Sequence, residues 1–218
     1  SDLHKTERPE IAPPATITPK KRTMKNIFEI AAANQQRARE VICDSRLEEA
    51  WRSVGAEPNL VGSLRTGLLM KHRDIDFHIY SSPLSIADSF AAMTRIARNP
   101  RIRRIEYGNL LDAQDQCLEW HAWYADADDR LWQIDMIHMP RGSAYDGYFE
   151  RVADRISAVL TDETRRAVLQ IKYDTPDEVK IMGIEYYRAV LGDGVRTYAE
   201  FEAWRAANPV EGILEWMP

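Results

Sequence analysis

The segment Asp74-Ile75-Asp76 sets two carboxylates two residues apart in a run whose other members, Ile75, Phe77 and Ile79, are apolar. In an extended chain the side chains at i and i+2 leave the same face. The two acids therefore share one face, and the three apolar side chains share the other, which must be buried. Neighbouring carboxylates repel one another unless a cation lies between them. Hard oxygen donors suit magnesium, which takes one or two carboxylates together with substrate phosphates.

Upstream stands Val61-Gly62-Ser63-Leu64-Arg65-Thr66-Gly67. Gly62 lets the backbone approach a phosphate closely, Ser63 adds a hydroxyl, and Gly67 permits a second tight turn before the chain enters the Asp strand. Arg65, with Lys71 or Arg73, offers positive charge for a triphosphate. Two-metal phosphoryl chemistry calls for a third acid. Asp135 fills that role best, because it is a lone acid in the apolar run Leu131 to Met139 and needs an ion or a partner there. Gln133 and Arg130 are its candidate structural partners. His78 lies on the face of the two acids, within reach of a substrate or of a hydrogen bond in the strand, whereas His121 and His138 read as structural.

Elements must hold these groups. The pattern from Met24 to Gly55 predicts one or two amphipathic helices, and Pro58 begins an extended segment. After the Asp strand, Ser82-Pro83 is expected to open a helix to about Ala97, with Ile86, Phe90, Met93 and Ile96 on one face. Strands follow over Ile102 to Leu111, Cys117 to Tyr124 and Leu131 to Met139, the last two forming a hairpin. Beyond Pro140 helices are expected over Tyr148 to Leu160, Thr164 to Tyr173, Pro176 to Leu191 and Tyr198 to Ala207, packed as a small bundle. At most one of Trp120, Trp123 and Trp132 is expected to reach a site, since large aromatics on strands usually pack in a core.

Gly62-Ser63, Gly67, Asp74-x-Asp76 and the later Asp135 together resemble the signature of the DNA polymerase β-type nucleotidyltransferase superfamily, most closely its minimal and antibiotic-modifying members. The likeness covers roughly residues 58 to 139. It implies an α/β (α+β) fold, with a mixed palm-like sheet flanked by helices and a C-terminal helical bundle. It also implies two magnesium ions on Asp74, Asp76 and Asp135, with the triphosphate near Gly62, Ser63, Arg65 and Gly67. Lys172 or Tyr173 of the helical portion would reach into the cleft. The implied reaction moves a nucleoside monophosphate from a nucleoside triphosphate, expected to be ATP, to an acceptor hydroxyl. One departure from the pattern is Thr66, where many relatives carry a basic residue. The alternative is a catalytically inactive nucleotide-binding or protein-interaction module of toxin–antitoxin type on the same fold.

Composition narrows the partners. The net charge of −5 over 218 residues argues against long nucleic acid and for a small-molecule or protein acceptor. Cys43 and Cys117 form no metal or disulfide framework, which fits a reducing cytoplasm. No apolar run reaches the length of a membrane span. The oligomeric state is left open. Residues 1 to 23, with Pro9, Pro13, Pro14 and Pro19, read as an extended or disordered arm, residues 24–140 as the nucleotidyltransferase domain, and residues 141–218 as the helical region.

Overall fold

A computed structural model describes residues 26–218, so the expected N-terminal arm lies outside the described residues. Asn26 opens α1 (Ile27–Ser45): its side chain accepts from the Phe28 N–H while Glu29 accepts from the Asn26 N–H, a reciprocal cap. Arg46, at φ 51°, turns the chain into α2 (Leu47–Arg52). Then come β1 (Glu57–Val61), the single helical turn α3 (Gly62–Thr66), β2 (Asp74–Ser81), α4 (Ile86–Ala97) and the strands β3 (Ile102–Leu110), β4 (Cys117–Ala125) and β5 (Leu131–Pro140). The chain ends in α5 (Tyr148–Val159), α6 (Asp162–Asp174), α7 (Gly183–Tyr187) continued by a π-helical turn Arg188–Gly192, and α8 (Tyr198–Ala207).

The five strands form one mixed sheet in the order β1-β2-β5-β4-β3, in which only β2 and β5 run parallel. This is the α+β architecture expected from the motifs. The strands alternate as predicted: Ile75, Phe77 and Ile79 turn into a core shared with Trp51 of α2, Met93 and Ile96 of α4, and Trp132, Ile134 and Met136 of β5. Truncating a side chain as enclosed as Phe77 to Ala costs about 3–5 kcal/mol, which is what keeps the acids on the opposite face. A second core joins α5, α6, α7 and α8 with Ile27 and Ala31 of α1 and with Leu68 and Met70, so α1 is packed in both.

Two expectations need correction. The α4 helix begins at Ile86, because Ser85 rather than Ser82 caps it, its hydroxyl accepting the Asp88 N–H at 3.1 Å. Ile86 and Phe90 lie exposed, and the buried stripe is Ser89, Ala92, Met93 and Ile96. Ser89 holds a core position because its oxygen accepts the Trp120 indole N–H at 2.9 Å and lies 3.0 Å from His138 Nδ1. Finally, the helix expected over Pro176 to Leu191 forms only from Gly183. Lys71 holds the preceding turn, donating to the Thr175 carbonyl at 2.5 Å and pairing with Asp177 at 2.8 Å.

Candidate active site

Parallel pairing of β2 with β5 brings Asp74 opposite Gln133 and Asp76 opposite Asp135, and antiparallel pairing of β4 places His121 opposite Asp135. The open face of the sheet thus carries Asp76, Asp135 and His121 side by side on three neighbouring strands. Asp74, Asp76, Asp135 and Ser63 line one cavity of about 360 Å³ with Lys172, Lys180 and the Met182-Gly183 turn.

Gly62 is required here by a contact as well as by its backbone. Its φ is +68°, and a Cβ would stand 2.3 Å from Asp76 Oδ2. The Asp76 carboxylate therefore lies against the bare start of α3. Gly67, at φ +70°, ends the same turn and lets the chain fold back toward β2.

Ser63 is the centre of a second cluster. Lys172 of α6 donates through Nζ to Ser63 Oγ at 2.9 Å, to Tyr187 Oη at 3.1 Å and to the Leu68 carbonyl at 2.9 Å, while Ser63 and Tyr187 oxygens are 2.8 Å apart. Lys172 is only 7% exposed. A buried ammonium without a carboxylate on it is costly to keep. Here it faces the cavity that holds the acids, poised for an anion.

Burial raises the Asp76 carboxyl to about 7, with further upward pressure from the charges of Asp135 and Asp74. Asp74 is raised for the same leading reason, with Asp135 adding to it. Asp135 sends Oδ1 to His121 Nδ1 at 2.5 Å and accepts from Gln133 Nε2 at 2.9 Å. The other His121 nitrogen meets Glu119. Burial lowers the His121 pKa, but the hydrogen bonds to Asp135 and Glu119 outweigh it and leave the ring above its ordinary value. His78, packed edge-on against Phe149 at 4.9 Å, is held down to about 4 by burial, and its Nδ1 has no partner among the described residues.

Three mutually repelling carboxylates on one cavity wall, all hard oxygen donors, fit a divalent cation. Asp74, Asp76 and Asp135 are the residues that would hold it. They are not drawn into a ready cluster: among the described residues no three acid, histidine or cysteine groups already stand together as a metal set.

Several residues take other places than the sequence suggests. Arg65 donates to Asp154 at 2.9 Å and to the Leu60 carbonyl at 3.0 Å, outside the cavity lining. Arg73 donates to the Leu131 carbonyl, Lys71 is engaged at the Asp177 turn, and Tyr173 is exposed. Trp120 and Trp132 are core residues, while Trp123 lies on the open face beneath the Arg104 guanidinium at 4.7 Å. The sequence reading passed over Tyr187, Lys180 and the pairing of His121 with Asp135. The one available signal was the lone acid in β5, which requires a neighbour.

No protein-family model matches the chain, and no curated protein matches it significantly. Solved structures do. A structure of Cid1, described by its RNA terminal uridylyl transferase activity, aligns at TM-score 0.53 and 14% identity over 76% of this chain and 50% of its own. Cid1 poly(U) polymerase with magnesium and 3′-dATP aligns at TM-score 0.52 and 14% identity, over 76% and 52%. A variant of that polymerase bound to MgATP aligns at 0.50 and 13%, over 76% and 53%. The chain spans about half the length of these structures. The chain shares the fold of these Cid1 structures.

Proposed function

We propose that this chain is a magnesium-dependent nucleotidyltransferase that moves a nucleoside monophosphate from a nucleoside triphosphate, ATP in the first instance, to a hydroxyl on a small molecule or protein in the cytoplasm. The observation that carries this reading is the single cavity lined by Asp74, Asp76 and Asp135 on one side and by Ser63 and Lys172 on the other.

In this reading Lys172 and the Ser63 hydroxyl bind the terminal phosphates, with Tyr187 holding both in place. Gly62, without a side chain, leaves Asp76 its position beside them. Asp74, Asp76 and Asp135 would hold magnesium, which would supply charge neutralisation and lower the cost of ionising the acceptor. In the same reading Asp135 helps to deprotonate the acceptor hydroxyl. The acceptor oxygen forms a bond to the α-phosphorus, the bond from that phosphorus to the bridging oxygen breaks, and pyrophosphate leaves with the electron pair.

The net charge of −5 favours a small-molecule or protein acceptor, whereas the Cid1 structures belong to an enzyme of RNA ends. Transfer of label from each of the four α-phosphate-labelled triphosphates, with magnesium and either clarified extract or RNA, decides between acceptors. Label in product from wild type and none from Asp76→Asn supports the reading. Full activity in Asp76→Asn sinks it. Release of a nucleoside monophosphate instead of pyrophosphate would assign a pyrophosphokinase on the same fold.

One observation favours a second reading, a module that binds nucleotide without transferring it. Asp135 is held by His121 and Gln133, away from a ready-made metal cluster. Nucleotide binding with no label transfer to any acceptor would support that module.

A further inference from the structure

A second chamber adjoins the cavity of the acids. It too measures about 360 Å³, and the two meet at Ser63, Asp76, Met182 and Gly183, which line both. Gly183 is bare at this throat: a Cβ there would stand 3.0 Å from Tyr187 Oη and 3.3 Å from Ser63 Oγ. Beyond it the walls change character. Phe149, Val152 and Ile156 of α5 and Ile184 of α7 form the sides, and the exposed Met182 and Ile213 border it. The lining carries one acid, Asp76, and among the described residues no lysine or arginine.

One polar ring is set among these apolar walls. His78, on the same face of β2 as Asp76, lines the chamber with its ring edge-on to Phe149 at 4.9 Å. Its Nδ1 is buried without a hydrogen-bond partner among the described residues. Buried polar atoms in native proteins are nearly always paired, so one left over in a chamber wall calls for a partner that a ligand brings. A pocket of this size, mostly apolar with one placed polar group, has the form that binds a small flat ring.

On the nucleotidyltransferase reading, on which this inference rests, the terminal phosphates lie on Lys172 and the acceptor hydroxyl at Asp135. Both residues line the first cavity and neither lines the second. The α-phosphorus then lies near Asp76, between them. What remains of the triphosphate is its nucleoside, and the adjoining space is the chamber beyond Asp76 and Ser63. Its walls suit a heterocycle and offer no cation to a phosphate.

We propose that the base of the nucleoside triphosphate is seated in this second chamber, its ring against Phe149, and that His78 selects the base through a hydrogen bond between Nδ1 and the base edge. A neutral imidazole nitrogen presents either an N–H or a lone pair, and the bases differ in which of the two their edges answer. His78 is thus a specificity-determining residue, carried by the same strand face as Asp74 and Asp76.

Calorimetric titration of the full chain with each of the four nucleoside triphosphates, and with inorganic tripolyphosphate, all in magnesium, tests this without an acceptor. Wild type should bind one nucleoside triphosphate at least about tenfold more tightly than another. His78→Phe keeps a ring against Phe149 but no nitrogen, so it should erase that preference and leave tripolyphosphate binding unchanged, which also shows that the variant folds. His78→Asn, whose amide can stand in for the imidazole, should keep the same preferred base. No preference in wild type, or a preference that survives in His78→Phe, overturns the inference while the proposed activity stands. Equal loss of preference in His78→Asn and His78→Phe, or equal loss of tripolyphosphate in His78→Phe, would assign His78 to packing and overturn it too. No binding of any triphosphate overturns the proposed activity and this inference together.

Discussion

Asp76 and Asp135 stand directly opposite one another on the parallel pair β2 and β5, and burial, followed by the charges of Asp135 and Asp74, raises the Asp76 carboxyl to about 7. Lys172 opposes this rise only in part, its ammonium being hydrogen-bonded to Ser63, Tyr187 and the Leu68 carbonyl. The site is built to be completed by a cation and an anion arriving together.

Replacing Asp76 with Asn should abolish label transfer while leaving the fold intact. Removing one of three repelling carboxylates should leave the melting temperature in magnesium-free buffer level or higher. A fall of many degrees, with loss of secondary structure by circular dichroism, would show that Asp76 serves the fold instead.

Magnesium should raise the melting temperature of wild type and leave that of Asp76→Asn unmoved, since only a ligand bound to the native state stabilises it. Calorimetric titration of the two proteins with magnesium chloride gives the same answer without activity. Equal magnesium binding by both would remove Asp76 from the metal site.

Lys172→Met should raise the KM for nucleoside triphosphate by about tenfold or more, the worth of a hydrogen bond to a charged group. Ser63 and Tyr187 lose their shared cation in that variant. Steady-state kinetics checks this, and an unchanged KM would mean that the triphosphate lies elsewhere.

Gly62→Ala and Gly55→Ala separate backbone strain from contact. Both positions have positive φ, 68° and 76°, but a Cβ at Gly55 meets nothing within 4 Å. Gly55→Ala should cost about 1 kcal/mol of left-handed strain. Gly62→Ala should cost more and also lose transfer, because its new carbon must displace Asp76. Urea unfolding of both measures the difference.

His138 governs an acid limit to stability. Its ring is buried between Ser81 and Ser89, against Trp51 at 5.0 Å, and burial lowers its pKa from 6.5 to about 4. The unfolded chain takes up the proton first, so the stabilisation is intact above pH 6.5 and is lost as pH falls from there toward 4. The loss reaches about 3 kcal/mol at the lower end. Denaturant unfolding at stepped pH should show this slope in wild type and a shallower one in His138→Leu. Equal slopes would assign the acid limit to other groups.

How much of this was legible beforehand follows from the range of each signal. Alternation in Asp74 to Ile79 is local, so the two acids on one face and the apolar core behind them could be read directly. The α4 helix was misplaced because its cap is a hydroxyl that competes with two other serines close by, and its buried stripe includes Ser89. That residue is chosen by Trp120 and His138 from distant strands.

By itself the sequence determined the acids, the glycines and the strand that carries Asp74 and Asp76, since these depend on backbone period and on the lack of a Cβ. Only the tertiary structure decided which partners they meet. The register of β5 against β2 sets Asp135 beside Asp76, and that of β4 gives it His121. The packing of α6 against the start of α3 sends Lys172 to Ser63 and leaves Arg65 with Asp154. Such pairings arise from whole elements docking on two cores, a long-range outcome that no window of sequence contains.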